Sequence, residues 1–159
     1  PVGGEGFPRS GSGAGGEGDA PVMAATPEDA VELARFDAPI FGASRRDVLA
    51  RYLTDYPARA AVLRRGGAIA GYALAQHGRI GPFVATDATA AAAVLAAVMA
   101  LPGMDGVVVS LPEANRAGLT LLQSWGFAEA RRLERMRLGG TGHPGDPARI
   151  YGLTSYALG

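Results

Sequence analysis

Neither cysteine nor lysine occurs in this chain of 159 residues. Without cysteine the chain has no thiol nucleophile, no thiolate metal ligand and no disulfide, a composition typical of a reducing cytoplasm. Without lysine it cannot use the phosphate-binding lysine of a Walker loop or form a Schiff base. All fifteen basic residues are arginines. From the absence of cysteine we expect a cytoplasmic protein.

Histidine and long apolar runs are also scarce. The two histidines, His77 and His143, lie too far apart for the paired spacing of a zinc hydrolase, so we expect no metal. No apolar run approaches the roughly 20 residues of a membrane span, and no leader of the signal-peptide type opens the chain. The formal net charge is zero, so we expect neither nucleic acid nor a membrane as a partner.

Residues 1–25 differ in composition from the rest of the chain. Eight of the 24 glycines fall between Gly3 and Gly18, and such a segment buries too little apolar surface to offset its ordering entropy. We predict a flexible linker over residues 1–25 and one folded domain over residues 26–159. Because the linker does not begin with methionine, we expect another segment upstream of it.

The folded domain opens with helical patterns. Thr26 and Pro27 form a helix start, and a short helix is predicted to end at Arg35. The segment 37–43 contains a proline and a glycine and predicts a break. A second amphipathic helix is predicted over residues 44–56, where a proline follows.

Apolar segments separated by turns then predict a mixed α/β domain. A hairpin and a third strand form an antiparallel meander, a helix crosses over to a parallel strand, and a further helix and two strands follow. The predicted strands are residues 60–63, 68–76, 79–85, 106–111, 127–138 and 149–158, and the predicted helices are residues 88–101 and 116–125. Four arginines of the strand at 127–138 are interpreted as a solvated edge, since no aromatic residues alternate with them: Arg131, Arg132, Arg135 and Arg137.

One stretch, residues 79–101, has the pattern of a strand, a tight polar turn and an alanine-rich helix. The first N–H groups of a helix and the positive end of its dipole favour a phosphate group. The alternative is a packed strand and helix without a ligand, because the glycines of specific phosphate-binding loops are absent. The sequence of this stretch leaves both readings open.

The segment 115–127, Asn-Arg-Ala-Gly-Leu-Thr-Leu-Leu-Gln-Ser-Trp-Gly-Phe, resembles a motif of the GCN5-related N-acetyltransferases, or GNAT family, in which an Asn is followed by an amphipathic helix and a Gly-Phe at this spacing. The segments 37–45, 80–82 and 150–155 resemble the C-terminal domain of tandem members of this family. The resemblance implies a mostly antiparallel sheet, flanked by helices, whose parallel fourth and fifth strands part in a V. It also implies an upstream acetyltransferase domain.

As a function, the resemblance implies transfer of an acetyl group from acetyl-CoA to an amine on a small molecule or a protein. The pantetheine arm of acetyl-CoA would pair with the backbone of the fourth strand, and the diphosphate would bind the helix start. The implied cofactor-binding residues are Phe83, Val84, Thr86, Asp87, Ala88, Thr89, Ala90, Ala91 and Asn115. A homodimer is an open alternative for the assembly.

Two departures from the family pattern keep a second function open. The phosphate loop of the family, Arg or Gln followed after two residues by Gly-x-Gly, falls on residues 86–91, which contain neither arginine nor glycine. Asp87 is more readily explained as a helix cap. Leu122 stands where many members carry a tyrosine acid. The alternative function is therefore a non-catalytic lobe that packs on an upstream catalytic domain and shapes its site.

The remaining candidates each have two interpretations. Tyr151 and Ser155 near the last strand are weak catalytic candidates, although tyrosines in strands are usually packed. Asp37, Phe41 and Arg45 are implied substrate-binding residues at the mouth of the cleft. Alternatively, Asp37 and Arg45 form an ion pair or caps that fix the turn between the first two helices.

Overall fold

The computed structural model describes residues 21–134 and 144–155. Its four helices within these residues are α1 (Ala30–Phe41), α2 (Arg46–Asp55), α3 (Ala88–Met99) and α4 (Arg116–Ser124). The strands are β1 (Met23–Ala24), β2 (Ala60–Arg65), β3 (Ala68–Gln76), β4 (Arg79–Ala85), β5 (Val108–Val109) and β6 (Ile150–Gly152). Single turns of 3-10 helix precede α1 and β6.

The strands form one sheet in the order β1-β2-β3-β4-β5, and β6 also pairs with β4. All pairings are antiparallel except that of β4 with β5, which is parallel. The parallel pair follows from the crossover through α3, because two parallel strands need a long connection. The predicted fold, a mostly antiparallel sheet with one parallel pair and flanking helices, is confirmed.

The sheet has an apolar cluster on each face. On one face, α3 and α4 pack against the sheet through residues such as Leu95 and Leu122. On the other, α1 and α2 do so through residues such as Leu33 and Leu49. Alternate residues of β4 serve the two clusters, since Phe83 belongs to the first and Val84 to the second. The middle of β4 is therefore buried on both faces.

The predicted end of the first helix at Arg35 is wrong. The helix α1 continues through Pro39 and ends at Phe41, and Gly42 then takes a left-handed conformation with φ of 92°. Its last turn holds the fully buried Asp37 and Ile40. Tertiary contacts of this turn outweigh the local tendency of proline to end a helix.

Three strand predictions also need correction. Residues 127–134 form no strand, and the rest of the predicted strand 127–138 lies outside the described residues. The predicted strands 106–111 and 149–158 shorten to β5 and β6, and residues 156–158 lie outside the described part. Residues 1–20 of the predicted linker are likewise outside it, whereas β1 at residues 23–24 pairs with β2.

Candidate functional site

The cleft that the resemblance predicts lies between β4 and β5. These strands pair only at their first residues, Arg79 with Val108 and Ile80 with Val109. Farther along, β4 pairs on this side with β6, Phe83 opposite Gly152 and Val84 opposite Ile150. The V between β4 and β5 is present, and β6 occupies it.

The residue that follows β6, Leu153, also contacts the β5 side of the V. The N–H of Leu153 donates to the carbonyl oxygen of Ser110, directly after β5, at 2.8 Å. A Cβ atom on Gly152 would lie 2.9 Å from the Ile80 carbonyl oxygen, so glycine is needed for this close approach. Segment 150–153 is therefore held between both arms of the V.

Asn115, predicted from the resemblance as a cofactor residue, connects α4 to β6. Its Oδ1 accepts a 2.7 Å hydrogen bond from the N–H of Gly118 and so caps α4. Its Nδ2 donates to the carbonyl oxygen of Ile150 at 2.9 Å. The side chain is buried, and both ends of its amide are satisfied within the domain.

The predicted phosphate site is the start of α3. Here Asp87 is the N-cap, with Oδ1 accepting from the N–H of Ala90 at 2.9 Å, which confirms the cap interpretation. Arg65 donates to Oδ2 at 2.6 Å and the hydroxyl of Thr86 does so at 2.9 Å. Although burial acts the other way, these hydrogen bonds hold the pKa of Asp87 below its ordinary value. Ala90 and Ala91 are buried.

Asp37, Phe41 and Arg45 come together at the turn between α1 and α2. The guanidinium of Arg45 forms two hydrogen bonds with the Asp37 carboxylate, Nε to Oδ2 at 2.9 Å and Nη2 to Oδ1 at 2.7 Å. Its Cζ lies 3.8 Å from the ring centre of Phe41, a cation–π contact. The ion-pair interpretation is confirmed, and substrate binding by these residues stays a prediction.

Tyr72 and Thr154 extend the Asp37–Arg45 ion pair into a buried hydrogen-bond network. The hydroxyl of Tyr72 donates to Oδ1 of Asp37 at 2.7 Å, and Nη1 of Arg45 donates to Oγ1 of Thr154 at 2.7 Å. Asp37, Tyr72 and Thr154 are almost fully buried. Burial and the negative charge of Asp37 raise the pKa of Tyr72 well above its ordinary value.

Gln76 at the end of β3 contacts the same region, because its Nε2 donates to the carbonyl oxygens of Gly81 and Thr154. Sequence reasoning missed Tyr72, Gln76 and Thr154 as members of the network. Thr154 lies 109 residues from Arg45, and no local pattern links residues at that separation. The one available signal was that all three polar side chains lie within or beside predicted strands.

The two weak catalytic candidates, Tyr151 and Ser155, lie within β6 and shortly after it. Tyr151 is 2% exposed, and its ring packs on Phe83 with 5.3 Å between ring centres. Burial, followed by the negative charge of Asp87, raises the pKa of Tyr151 above its ordinary value. Ser155 is partly buried beside the end of β6. Leu122 lies in the core cluster under α4, so its position supplies no proton donor.

These residues do not fit the acetyl-CoA that the resemblance implies. The edge of β4 at Phe83 and Val84 is already paired with β6, and the N-terminus of α3 already holds the carboxylate of Asp87. The predicted cofactor-binding roles therefore stay predictions, and the geometry argues against them. At the two places where the family pattern puts the cofactor, the structure has β6 and the side chain of Asp87.

Two absences concern only the part of the chain that the structure describes. None of the helices there is long and apolar enough to cross a lipid bilayer. Within residues 21–134 and 144–155, no group of three or more histidine, aspartate or glutamate side chains is placed to hold a metal ion. Of the predicted basic segment, Arg131 and Arg132 are exposed, and Arg132 pairs with Glu129.

The fold agrees with what comparisons with known proteins find. A family model described as an acetyltransferase (GNAT) domain matches residues 33–152. A Pyrococcus horikoshii protein described as an acetyltransferase has 26% sequence identity and a TM-score of 0.72. The match covers 88% of this chain and 46% of that one, so the chain spans about half the length of that relative.

A GNAT-family acetyltransferase from Bacillus cereus is similar at a TM-score of 0.58, over 76% of this chain and 90% of that one. At 16% identity it shows the fold alone. A search of curated proteins finds no match. The family model spans most of the chain, which confirms the resemblance seen in the sequence: the chain belongs to the GCN5-related N-acetyltransferase (GNAT) family of acetyltransferase domains.

Proposed function

We propose that this domain is part of an acetyl-CoA-dependent N-acetyltransferase that transfers an acetyl group to an amine, on a small molecule or a protein. Within that enzyme it acts as a supporting lobe, and an upstream acetyltransferase domain carries the chemistry. GNAT domains generally use acetyl-CoA, and the chain matches one. The Pyrococcus horikoshii relative is about twice as long as the matched region, which leaves room for such a second domain.

The observation that carries the proposal is the carboxylate of Asp87 at the start of α3. A diphosphate at this helix start would compete with the carboxylate of Asp87 for the N–H of Ala90. Two like charges in contact repel, and the partial neutralisation by Arg65 does not create a free site for a second anion. Asp87 therefore supplies, from the chain itself, the negative charge that this helix start favours.

The residue at position 122 also favours the role of a supporting lobe. In many family members a tyrosine on the helix after the fifth strand protonates the leaving thiolate, as the resemblance implies. The corresponding Leu122 is buried in the core, and its side chain has no proton to give. A supporting lobe needs no acid at this position.

A self-contained N-acetyltransferase is the second candidate. It is favoured by the unbroken family match over residues 33–152 and by Asn115, which lies at the cap of α4 beside the cleft. This function would require β6 to leave the edge of β4 before a cofactor enters. It would also require another group to replace Leu122.

Calorimetric titration of acetyl-CoA separates the two candidates. We expect no saturable binding by this chain at about micromolar to millimolar ligand, and one site in a longer protein that includes the upstream domain. The longer protein should acetylate an amine substrate, and its activity should survive Thr89→Glu, which adds a negative charge at an exposed position of this helix start. One-site binding by the isolated chain that Thr89→Glu abolishes would reverse the proposal in favour of the second candidate.

A further inference from the structure

We infer that β6 takes the place of the pantetheine arm on the edge of β4, so that the domain's own C-terminal strand closes the cofactor cleft from inside. Three side chains, Arg45, Gln76 and Asn115, hold this segment there. The inference deepens the proposed supporting role, on which it rests for the identity of the cofactor. It names the part of the chain that excludes that cofactor.

The backbone pairing is the first support. An extended ligand with amide groups binds an exposed strand edge by adding to the sheet as another strand. β6 makes that type of addition, with Phe83 opposite Gly152 and Val84 opposite Ile150. The register shift in this pairing leaves Tyr151 of β6 as the extra residue, whereas β4 itself carries an extra residue between Ile80 and Phe83 in its pairing with β3. Any arm binding at this edge must first displace β6.

The holding contacts come from three different elements. Arg45, just before α2, donates to the hydroxyl of Thr154 at 2.7 Å. Asn115, at the cap of α4, donates to the carbonyl oxygen of Ile150 at 2.9 Å. Gln76, at the end of β3, donates to the carbonyl oxygen of Thr154 at 3.2 Å. The segment is thus held at both ends, at Ile150 and at Thr154.

Side-chain packing supports the same conclusion. Ile150 is 1% exposed and belongs to the cluster under α1 and α2, whereas Tyr151 is 2% exposed and belongs to the cluster under α3 and α4. Gly81 and Gly152 have no side chain where the strands meet, and a Cβ on either would collide with the opposite backbone. β6 is a structural strand of the core, and its neighbours are shaped to receive it.

Hydrogen–deuterium exchange on the whole chain tests the inference, with acetyl-CoA at about millimolar concentration as the probe. We expect slow exchange of the amides of residues 83–84 and 150–153, unchanged by acetyl-CoA. Faster exchange at 150–153 on adding acetyl-CoA, with 83–84 still protected, would overturn the inference. It would show a displaceable strand that yields the edge to the cofactor.

A single substitution tests the holding contact of Asn115. Asn115→Asp keeps the Oδ1 that caps α4 but loses the Nδ2 donor to Ile150. We expect exchange at residues 150–153 and 83–84 to rise about tenfold, with the amides of β2 unchanged. Gln123→Glu, the same amide-to-acid change at an exposed site on α4, is the matched control. Equal exchange in the two variants would contradict the inference.

If Asn115→Asp does not fold, Thr154→Val answers the same question. It removes the hydroxyl that accepts from Arg45 with little change in volume, and Thr120→Val on the exposed side of α4 is its control. Faster exchange confined to residues 83–84 and 150–153 supports the inference, and wild-type exchange there contradicts it. A longer protein without acetyl transfer would instead refute the proposed function and leave this pattern intact.

Discussion

At the scale of single residues, the ion pair of Asp37 and Arg45 is expected to contribute strongly to the stability of the fold. Both side chains are buried, at 0% and 6% exposed. We predict that Arg45→Met lowers the free energy of unfolding by about 3 to 5 kcal/mol, because it leaves a buried carboxylate without its cation. Urea unfolding with linear extrapolation measures this loss.

The exposed pair of Arg51 and Asp55 on α2 provides the control for that substitution. Arg51→Met should leave the unfolding midpoint nearly unchanged, because solvent screens this pair. The double variant Asp37→Leu with Arg45→Met should recover part of the stability lost in the single variant, since no isolated charge remains. Equal losses in Arg45→Met and Arg51→Met would disprove a buried role for Arg45.

Asp87 gives a prediction for acid pH. Its folded-state pKa is lowered from 3.8 by hydrogen bonds with Ala90, Thr86 and Arg65, against the opposing effect of burial. A lowered pKa means that the group stabilises the fold above about pH 3.8 and that this stability is lost as the pH falls through the folded-state value. We predict that Asp87→Asn keeps the cap but loses part of this acid dependence.

Thermal unfolding of the wild type and Asp87→Asn between about pH 2 and pH 6 measures the effect. The two proteins should converge at the lowest pH, where Asp87 is protonated in the wild type. Asp55, an exposed member of a surface pair, offers Asp55→Asn as the matched acid-to-amide control. Parallel curves for wild type and Asp87→Asn would contradict a charged cap.

At the scale of secondary-structure elements, β6 is short, but all three of its residues are buried in the core. Ile150 is 1% exposed, and Val108 on the neighbouring β5 is 44% exposed. We predict that Ile150→Ala costs about 2 to 5 kcal/mol through lost burial and the cavity it leaves. Val108→Ala should cost less than about 1 kcal/mol, since its side chain is largely in water already.

Urea unfolding of the two variants decides this prediction. A loss in Ile150→Ala no larger than that in Val108→Ala would mean that β6 does not pack in the core in solution. A nearly unchanged m-value is expected in both variants, because each substitution removes only part of one side chain from the surface that unfolding exposes.

Local patterns predicted the elements with strong periodicity and missed those fixed by distant contacts. The helix α3 follows from its alanine-rich run and its polar cap, and the hairpin of β2 and β3 from its turn glycines. By contrast, α1 continues past Pro39 because distant residues bury its last turn, among them Tyr72, which bonds to Asp37 from 35 positions away. β5 and β6 are too short to show a period.

The sequence predicted where the cleft lies, between the fourth and fifth strands, but not that β6 fills it. The resemblance located the V between the fourth and fifth strands, and the cap role of Asp87 followed from its position before the helix. The pairing of β6 with β4 joins residues more than sixty positions apart. No feature of residues 150–152 alone distinguishes a strand in the cleft from one beside it.

At the scale of the whole molecule, β6 couples the two faces of the sheet. Its Ile150 packs in one apolar cluster and its Tyr151 in the other, and Asn115 ties it to α4. Neither cluster can therefore open fully without disturbing the strand that both share. We predict that the described domain unfolds in one cooperative transition with no separately stable face.

Two probes of urea unfolding check this cooperativity. Fluorescence of Trp125, the single tryptophan, reports the end of α4 on one face, whereas far-ultraviolet circular dichroism reports all helices. The two curves should share one midpoint in the wild type, because β6 links the faces. In Ile150→Ala both midpoints should fall together, although the lost side chain lies on the face opposite α4. A fluorescence midpoint that stays at the wild-type value in this variant would show that the two faces unfold independently.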